Sequence, residues 1–150
     1  MAKISLEPVG HVANSIKEPL DSDWGEVETR IVLREELAPA PTGLADFSHI
    51  VVVFWMHQTK KPDALRRRPQ GRPDIPELGL FAQRSKHRPN PIGVTVVPLI
   101  SVEEGELLLR GLDAVNGTPV LDIKPHFPDY DSPPEARVPE WVGHLIKGYF

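Results

Sequence analysis

The 150 residues predict a mainly β domain, a small barrel or sandwich with a helix at its C-terminal end, and three observations carry that prediction. Seventeen prolines and eleven glycines punctuate the chain too often for a helical bundle. Short β-branched or alternating apolar runs of strand length recur between turn residues. Only the stretch after Pro139 places apolar residues at helical spacing. A chain of this length fits one domain, here residues 1–150, and domains of about this size bury roughly 70% of the surface their unfolded chain exposes.

The elements follow in order. Ile4 to Val12 reads as a first strand. Val27 to Leu33 reads as a second by alternation, with Val27, Thr29, Ile31 and Leu33 on one face. His49 to His57 is nearly all apolar and β-branched, which predicts a central strand buried on both sides. Val94 to Val102 and Glu106 to Leu112 flank Glu103-Glu104-Gly105, a turn sequence that makes them a hairpin, and Pro119 to Ile123 adds a short strand. At the end, Pro139 suits a first helical turn, and Trp141, Val142, Leu145 and Ile146 form an apolar stripe.

Composition removes several chemistries. The absence of cysteine excludes thiolate nucleophiles, CxxC redox pairs and cysteine zinc sites. The six histidines form no convincing ligand cluster, so no metal is expected. Met1-Ala2-Lys3-Ile4-Ser5 does not resemble a signal peptide, and no apolar run approaches the ~20 residues that span a bilayer. A soluble, cytoplasmic protein without a membrane partner is the expectation.

Net charge is -4, but it is unevenly distributed. Gln58 to Arg88 holds nine Lys/Arg against three acids, which makes this segment +6 and leaves -10 for the remainder. A positive lobe on an acidic body suits a protein that meets a phosphate backbone on one face. A solvated flexible loop explains the same residues equally well. Lys60 to Leu78 exceeds the usual loop length, which predicts a mobile, substrate-facing arm, with disorder of no role as the competing reading.

Three constellations carry polar chemistry. Arg84-Ser85-Lys86-His87-Arg88-Pro89-Asn90-Pro91-Ile92-Gly93 combines dense positive charge with two prolines that remove two amide donors and fix two φ angles, so it is a stiff loop on the following strand. His57-Gln58-Thr59 presents donors and acceptors where the most apolar strand ends, and backbone groups would satisfy it as well as a ligand. Asp113 and Asp122 bracket the Asn116-Gly117 turn, with Lys124 nearby; turn chemistry and surface ion pairing explain these too.

Together these strings are specific. Gly79-Leu80-Phe81-Ala82-Gln83-Arg84-Ser85 runs into Arg88-Pro89-Asn90-Pro91-Ile92-Gly93. Leu112-Asp113 and Gly117-Thr118-Pro119-Val120-Leu121-Asp122-Ile123-Lys124-Pro125 follow. With Val9-Gly10, Phe47-Ser48-His49 and His57-Gln58-Thr59, they resemble the TsaA-like/TrmO family from about residue 6 to residue 131. The resemblance implies a small β-barrel, commonly dimeric, that binds S-adenosyl-L-methionine without a Rossmann fold and methylates the exocyclic amine of threonylcarbamoyl-adenosine next to the anticodon of tRNA. The chain agrees in lacking a G-x-G-x-x-G turn and βαβ alternation.

By the same resemblance, Asp23-Trp24-Gly25, His57, Gln58, Arg84, Val94, Arg110, Gly111, Leu112 and Asp113 line the cofactor. Asp23-Trp24-Gly25 stands where some members have Pro-Arg-Gln. Arg84 would pair with the methionine carboxylate, Asp113 would accept from ribose hydroxyls or the amino group, and backbone at Val94 and Leu112 would read adenine. Asp122, His57 and His87 are the candidate general bases; Asp122 is favoured, with Lys124 beside it on phosphate. Arg66, Arg67, Arg68, Lys86, His87 and Arg88 would contact RNA. The family's Asp-Ile-Lys-Pro-Tyr motif ends here in His126, and the C-terminal extension of some members is not seen after Phe150. A binding module without methyl transfer, or a different acceptor, remains an open alternative.

Overall fold

The computed structural model describes residues 1–150. Six strands close a barrel in the order β1 (Gly10–Ala13), β2 (Glu28–Leu33), β7 (Glu106–Arg110), β6 (Ile92–Glu103), β3 (His49–Trp55) and β8 (Pro119–Pro125). All neighbours are antiparallel, and the ring closes where Gly10 and His11 of β1 meet Val120 and Pro119 of β8. Closure leaves no barrel edge to pair with another chain.

The interior is filled by one face of each strand. Val12, Ile31, Ile50, Val52, Leu107 and Val120 are fully buried, and Leu112 and Ala114 cap the same core from the segment after β7. Each such side chain contributes about 1.5–3 kcal/mol on leaving water. Gly93 lies opposite Phe54 across the β3–β6 ladder. A Cβ at residue 93 would fall 2.4 Å from two carbons of the Phe54 ring, so the ring uses the space that only glycine leaves open.

The predicted barrel is present, with four local differences. The first strand starts at Gly10, not Ile4, because Gly10 pairs with Leu33, the last residue of β2. Ile4 and Leu6 have no strand opposite and are exposed. The central strand is buried on one side only: Ile50, Val52 and Phe54 point inward, while Val51 and Val53 are half-buried on the outer surface, since a closed sheet has a single interior. The predicted helix forms as α2 (Trp141–Ile146) but buries none of its residues and does not close the barrel. A one-turn helix, α1 (Pro128–Asp131), follows β8. No helix is long and apolar enough to cross a membrane.

The basic arm carries regular structure, against the expectation of a patternless one. Its two short strands, β4 (Arg66–Arg67) and β5 (Leu78–Gly79), pair antiparallel. The buried Gln83 amide donates to the carbonyls of Arg67 at 2.9 Å and Leu78 at 2.8 Å, and Ile75 and Leu80 are buried. Arg72 grips Asp74 with two nitrogens, at 3.0 and 2.7 Å, and donates to the His144 carbonyl at 3.1 Å, tying the arm to α2. That guanidinium holds the Asp74 carboxyl below its ordinary range. A buried amide with several partners orders a segment that composition alone describes as coil.

Candidate functional site

The pairing directions bring the segments that follow β1, β3 and β7 and precede β2, β6 and β8 to one end of the barrel. Residues 14–27, 56–91 and 111–118 therefore share that end, which gathers nearly every residue the sequence singled out for cofactor contact. Asn14 stitches it together: its side-chain amide donates to Thr29 Oγ1 at 3.0 Å and the Ala114 carbonyl at 2.9 Å, and its backbone N–H donates to Asn116 Oδ1 at 3.1 Å.

Asp113 is the centre of the hydrogen-bond network at this end. Thr95 Oγ1 donates to its Oδ1 at 2.5 Å, and the Tyr149 hydroxyl donates to its Oδ2 at 2.6 Å. Burial, then the negative charge of Asp113, pushes the Tyr149 phenol above its ordinary value, so it stays a donor at neutral pH. Arg84 donates through Nη2 to the Val94 carbonyl at 2.7 Å, one residue before Thr95. This fixes the guanidinium and leaves its other donors without a protein partner.

The neighbouring wall comes from Asp23, Trp24 and Gly25. The Asp23 and Trp24 amides donate to the carbonyls of Gly148 and Tyr149. The Trp24 side chain is 2% exposed and donates through Nε1 to Leu20, so the indole shapes the wall from behind. Gly111 has φ +84°, a left-handed conformation, and a Cβ there would sit 3.3 Å from the Gly25 carbonyl oxygen. Leu112 is fully buried, so only its backbone can face a ligand. Arg110, the last residue of β7, is exposed and lies 3.5 Å from Glu28. His57 and Gln58 form an exposed turn after β3; Gln58 donates to the Lys17 carbonyl at 3.2 Å, and the neighbouring Met56 amide donates to Pro91.

Asp122 and Lys124 occupy a different surface. Both project from β8 to the outside of the barrel, where Lys124 Nζ lies 2.7 Å from Asp122 Oδ2. Asp122 pairs with Val53, and Val53 with Val94, so the acid lies in the same transverse row as the carbonyl that holds Arg84. Two interstrand steps place it about 10 Å from Val94. The hydrogen bond that Lys124 donates to Asp122 raises the Lys124 pKa, which keeps the amine a cation and removes it as a proton acceptor at neutral pH.

The six residues expected to contact RNA divide by what they already touch. Arg68 donates to the Ile75 carbonyl, and Arg88 to the carbonyls of Gln83 and Ser85, so both brace the arm. Arg66 lies 3.5 Å from Glu77. His87 Nδ1 reaches the Lys60 carbonyl at 3.4 Å. Arg67 and Lys86 are exposed and project free charges. Thr95 and Tyr149, which orient Asp113, went unnoticed in the sequence; no motif marks a hydroxyl whose partner lies 18 or 36 residues away.

Comparison with known proteins gives a consistent result. A probable S-adenosyl-L-methionine-binding protein of Methanothermobacter thermautotrophicus is 39% identical over 135 residues, covering 87% of this chain and 95% of that protein. A tRNA (adenine(37)-N6)-methyltransferase of Rattus norvegicus is 44% identical over 105 residues, covering 70% of this chain and 24% of the rat protein. The crystal structure of TrmO from Pseudomonas aeruginosa superposes with a TM-score of 0.73 at 32% identity, over 91% of this chain and 62% of that one. The chain thus spans about three-fifths of the solved structure and a quarter of the rat enzyme. The tRNA-methyltransferase O N-terminal domain matches residues 14–132, from the Asn14 hub through the barrel to the end of α1, and the chain belongs to that family.

Proposed function

We propose that this domain is an S-adenosyl-L-methionine-dependent methyltransferase whose acceptor is the exocyclic amine of threonylcarbamoyl-adenosine next to the anticodon of tRNA. The observation that carries the reading is the Arg84–Val94–Thr95–Asp113 constellation at one barrel end. It pairs a fixed cation, suited to an amino-acid carboxylate, with a carboxylate held by two hydroxyls, suited to ribose hydroxyls or an ammonium. The residues fit the amino-acid end of the cofactor: its carboxylate would meet Arg84 and its ammonium Asp113.

When bound, the cofactor supplies a methyl carbon activated by a sulfonium. The task of the chain is to align the acceptor nitrogen in line with the carbon–sulfur bond and to receive the proton that nitrogen loses as the new N–C bond forms. Asp122 is the proposed acceptor of that proton. The Ile123 amide donates to its Oδ1, and the Lys124 ammonium holds its Oδ2. Lys124, a cation at 64% side-chain exposure, also faces phosphate. A homodimer is supported by the start of β6, where Ile92 and Val94 are exposed apolar residues on its outer face. Cytoplasmic residence fits a tRNA substrate.

The test is incubation with labelled S-adenosyl-L-methionine and tRNA bearing threonylcarbamoyl-adenosine, followed by mass analysis of nucleosides. The N-methylated nucleoside is expected, and Asp122→Asn is expected to lower its single-turnover rate at least tenfold. An unchanged rate removes Asp122 as the base. Calorimetry of Arg84→Ala and Asp113→Asn is expected to show cofactor affinity about 10- to 100-fold weaker, from charged hydrogen bonds of roughly 1.5–3 kcal/mol. Unchanged affinity in both displaces the site. The archaeal relative covered over 95% of its length is named only as a binding protein; cofactor binding with no product on any RNA would favour that second role.

A further inference from the structure

A concavity lies on the outer wall of the barrel, away from Asp113. It is a cleft of about 670 Å³ lined by Phe47, His49, Val96, His126 and Phe127, with Asp46 and Asp129 at its rim. A smaller pocket, lined by Val51, Lys124, Phe127 and Tyr130, shares Phe127 with it, and the two are treated together as one groove. We propose that this groove seats an unpaired nucleobase adjacent to the methylated one, and so reads the sequence context of the acceptor. The inference rests on the proposed RNA acceptor.

Four observations support it. Phe47 and Phe127 stack with ring centroids 5.8 Å apart. Phe127 is 50% and Tyr130 82% exposed, which provides aromatic faces on which a base can stack. Polar groups edge the platform. Ser48 Oγ and His49 Nδ1 lie 2.8 Å apart, which occupies that ring nitrogen and leaves the other for a ligand. The His126 ring backs that of His49 edge-on, with centroids 6.4 Å apart, and its buried Nδ1 faces Asp131 Oδ2 at 3.1 Å.

Charge decides the ligand's orientation. Asp46 and Asp129 repel a phosphate from the cleft but accept from exocyclic amines, which adenine, cytosine and guanine carry and uracil lacks. Lys124, further along the groove, suits the sugar–phosphate that leads out.

Register gives the spacing. The His49–Pro98 pair stands four residues along from the Val53–Val94 pair, about 13 Å at the rise of a strand. That distance puts the cleft beyond the methylated base and within reach of its neighbour. Enzymes acting on extruded bases set context through such flanking contacts.

The experiment uses an anticodon stem-loop RNA with 2-aminopurine in turn at each loop position beside the target. On the wild-type chain one flanking position should quench on binding. Phe127→Ala should abolish the quench and weaken RNA binding about tenfold, the effect of losing one stacked base; cofactor affinity should stay unchanged. Tyr130→Ala, at an exposed position that folding does not need, should act in the same direction, and uracil at the quenching position should weaken binding to the wild-type chain. Methylation with no quench, or a quench that survives both variants, overturns the inference while leaving the proposed activity standing. Failure of the wild-type chain to bind or methylate RNA overturns both. Two further outcomes also refute it: loss of subunit association in both variants by sedimentation, which would make the groove a subunit contact, and saturable binding of tetramethylammonium that Phe127→Ala removes, which would make it a cation cage.

Discussion

Gly93→Ala tests the link between barrel packing and the Arg84–Asp113 site. The added Cβ would lie 2.4 Å from Cε2 and Cζ of Phe54, well inside the ~3.5–4 Å at which carbon atoms rest, so ring or strand must move by more than 1 Å. Phe54 is 3% exposed and packed into the core, which leaves little room to yield. Overpacking of this kind costs about 1–3 kcal/mol, and the buried ring argues for the upper half of that range. Urea unfolding followed by tryptophan fluorescence measures it as a fall in midpoint at constant slope. Phe54→Leu, which removes the ring, should be destabilising alone but should relieve the clash. The double variant should then be more stable than the two single effects predict, by about 1–2 kcal/mol. Val94, whose carbonyl holds Arg84, follows Gly93 directly, so Gly93→Ala should also weaken cofactor binding. A cost below about 0.5 kcal/mol, or strictly additive variants, would refute the packing argument.

Two other outcomes follow from the geometry. Tyr149→Phe removes the 2.6 Å bond to Asp113 and should cost about 1.5 kcal/mol, the lower side of a hydrogen bond to a charged group because the site is partly solvated. Because the folded phenol titrates above its ordinary value, this stabilisation should be constant from neutral pH to about pH 10 and fade as pH rises through the folded value; a difference from wild type that fades between pH 6 and 9 would contradict the assignment. Arg67→Ala and Lys86→Ala, free exposed cations, should each reduce the salt dependence of RNA binding by about one phosphate contact. Arg88→Ala, which loses bonds to Gln83 and Ser85, should instead raise protease sensitivity of the arm.

The sequence by itself determined the strand content, the β6–β7 hairpin, the stiff Arg84–Gly93 loop and the membership of Arg84, Asp113, Asp122 and Lys124 in ordered motifs. These are local or nearly local properties: alternation, turn residues and proline restrict the chain within a few positions of themselves. Tertiary structure decided the rest. Ring closure between Gly10 and Val120 started the first strand later than its apolar pattern suggested and gave β3 one buried face. The Gln83 amide folded an arm whose composition reads as coil. Most of all, closure sorted the motif residues onto two surfaces, with Asp113 and Arg84 at one barrel end and Asp122 and Lys124 on the outer wall. Whether a strand residue faces in, out or past the end of a barrel depends on partners tens of residues away. Sequence spacing has no access to those partners until the ladders form.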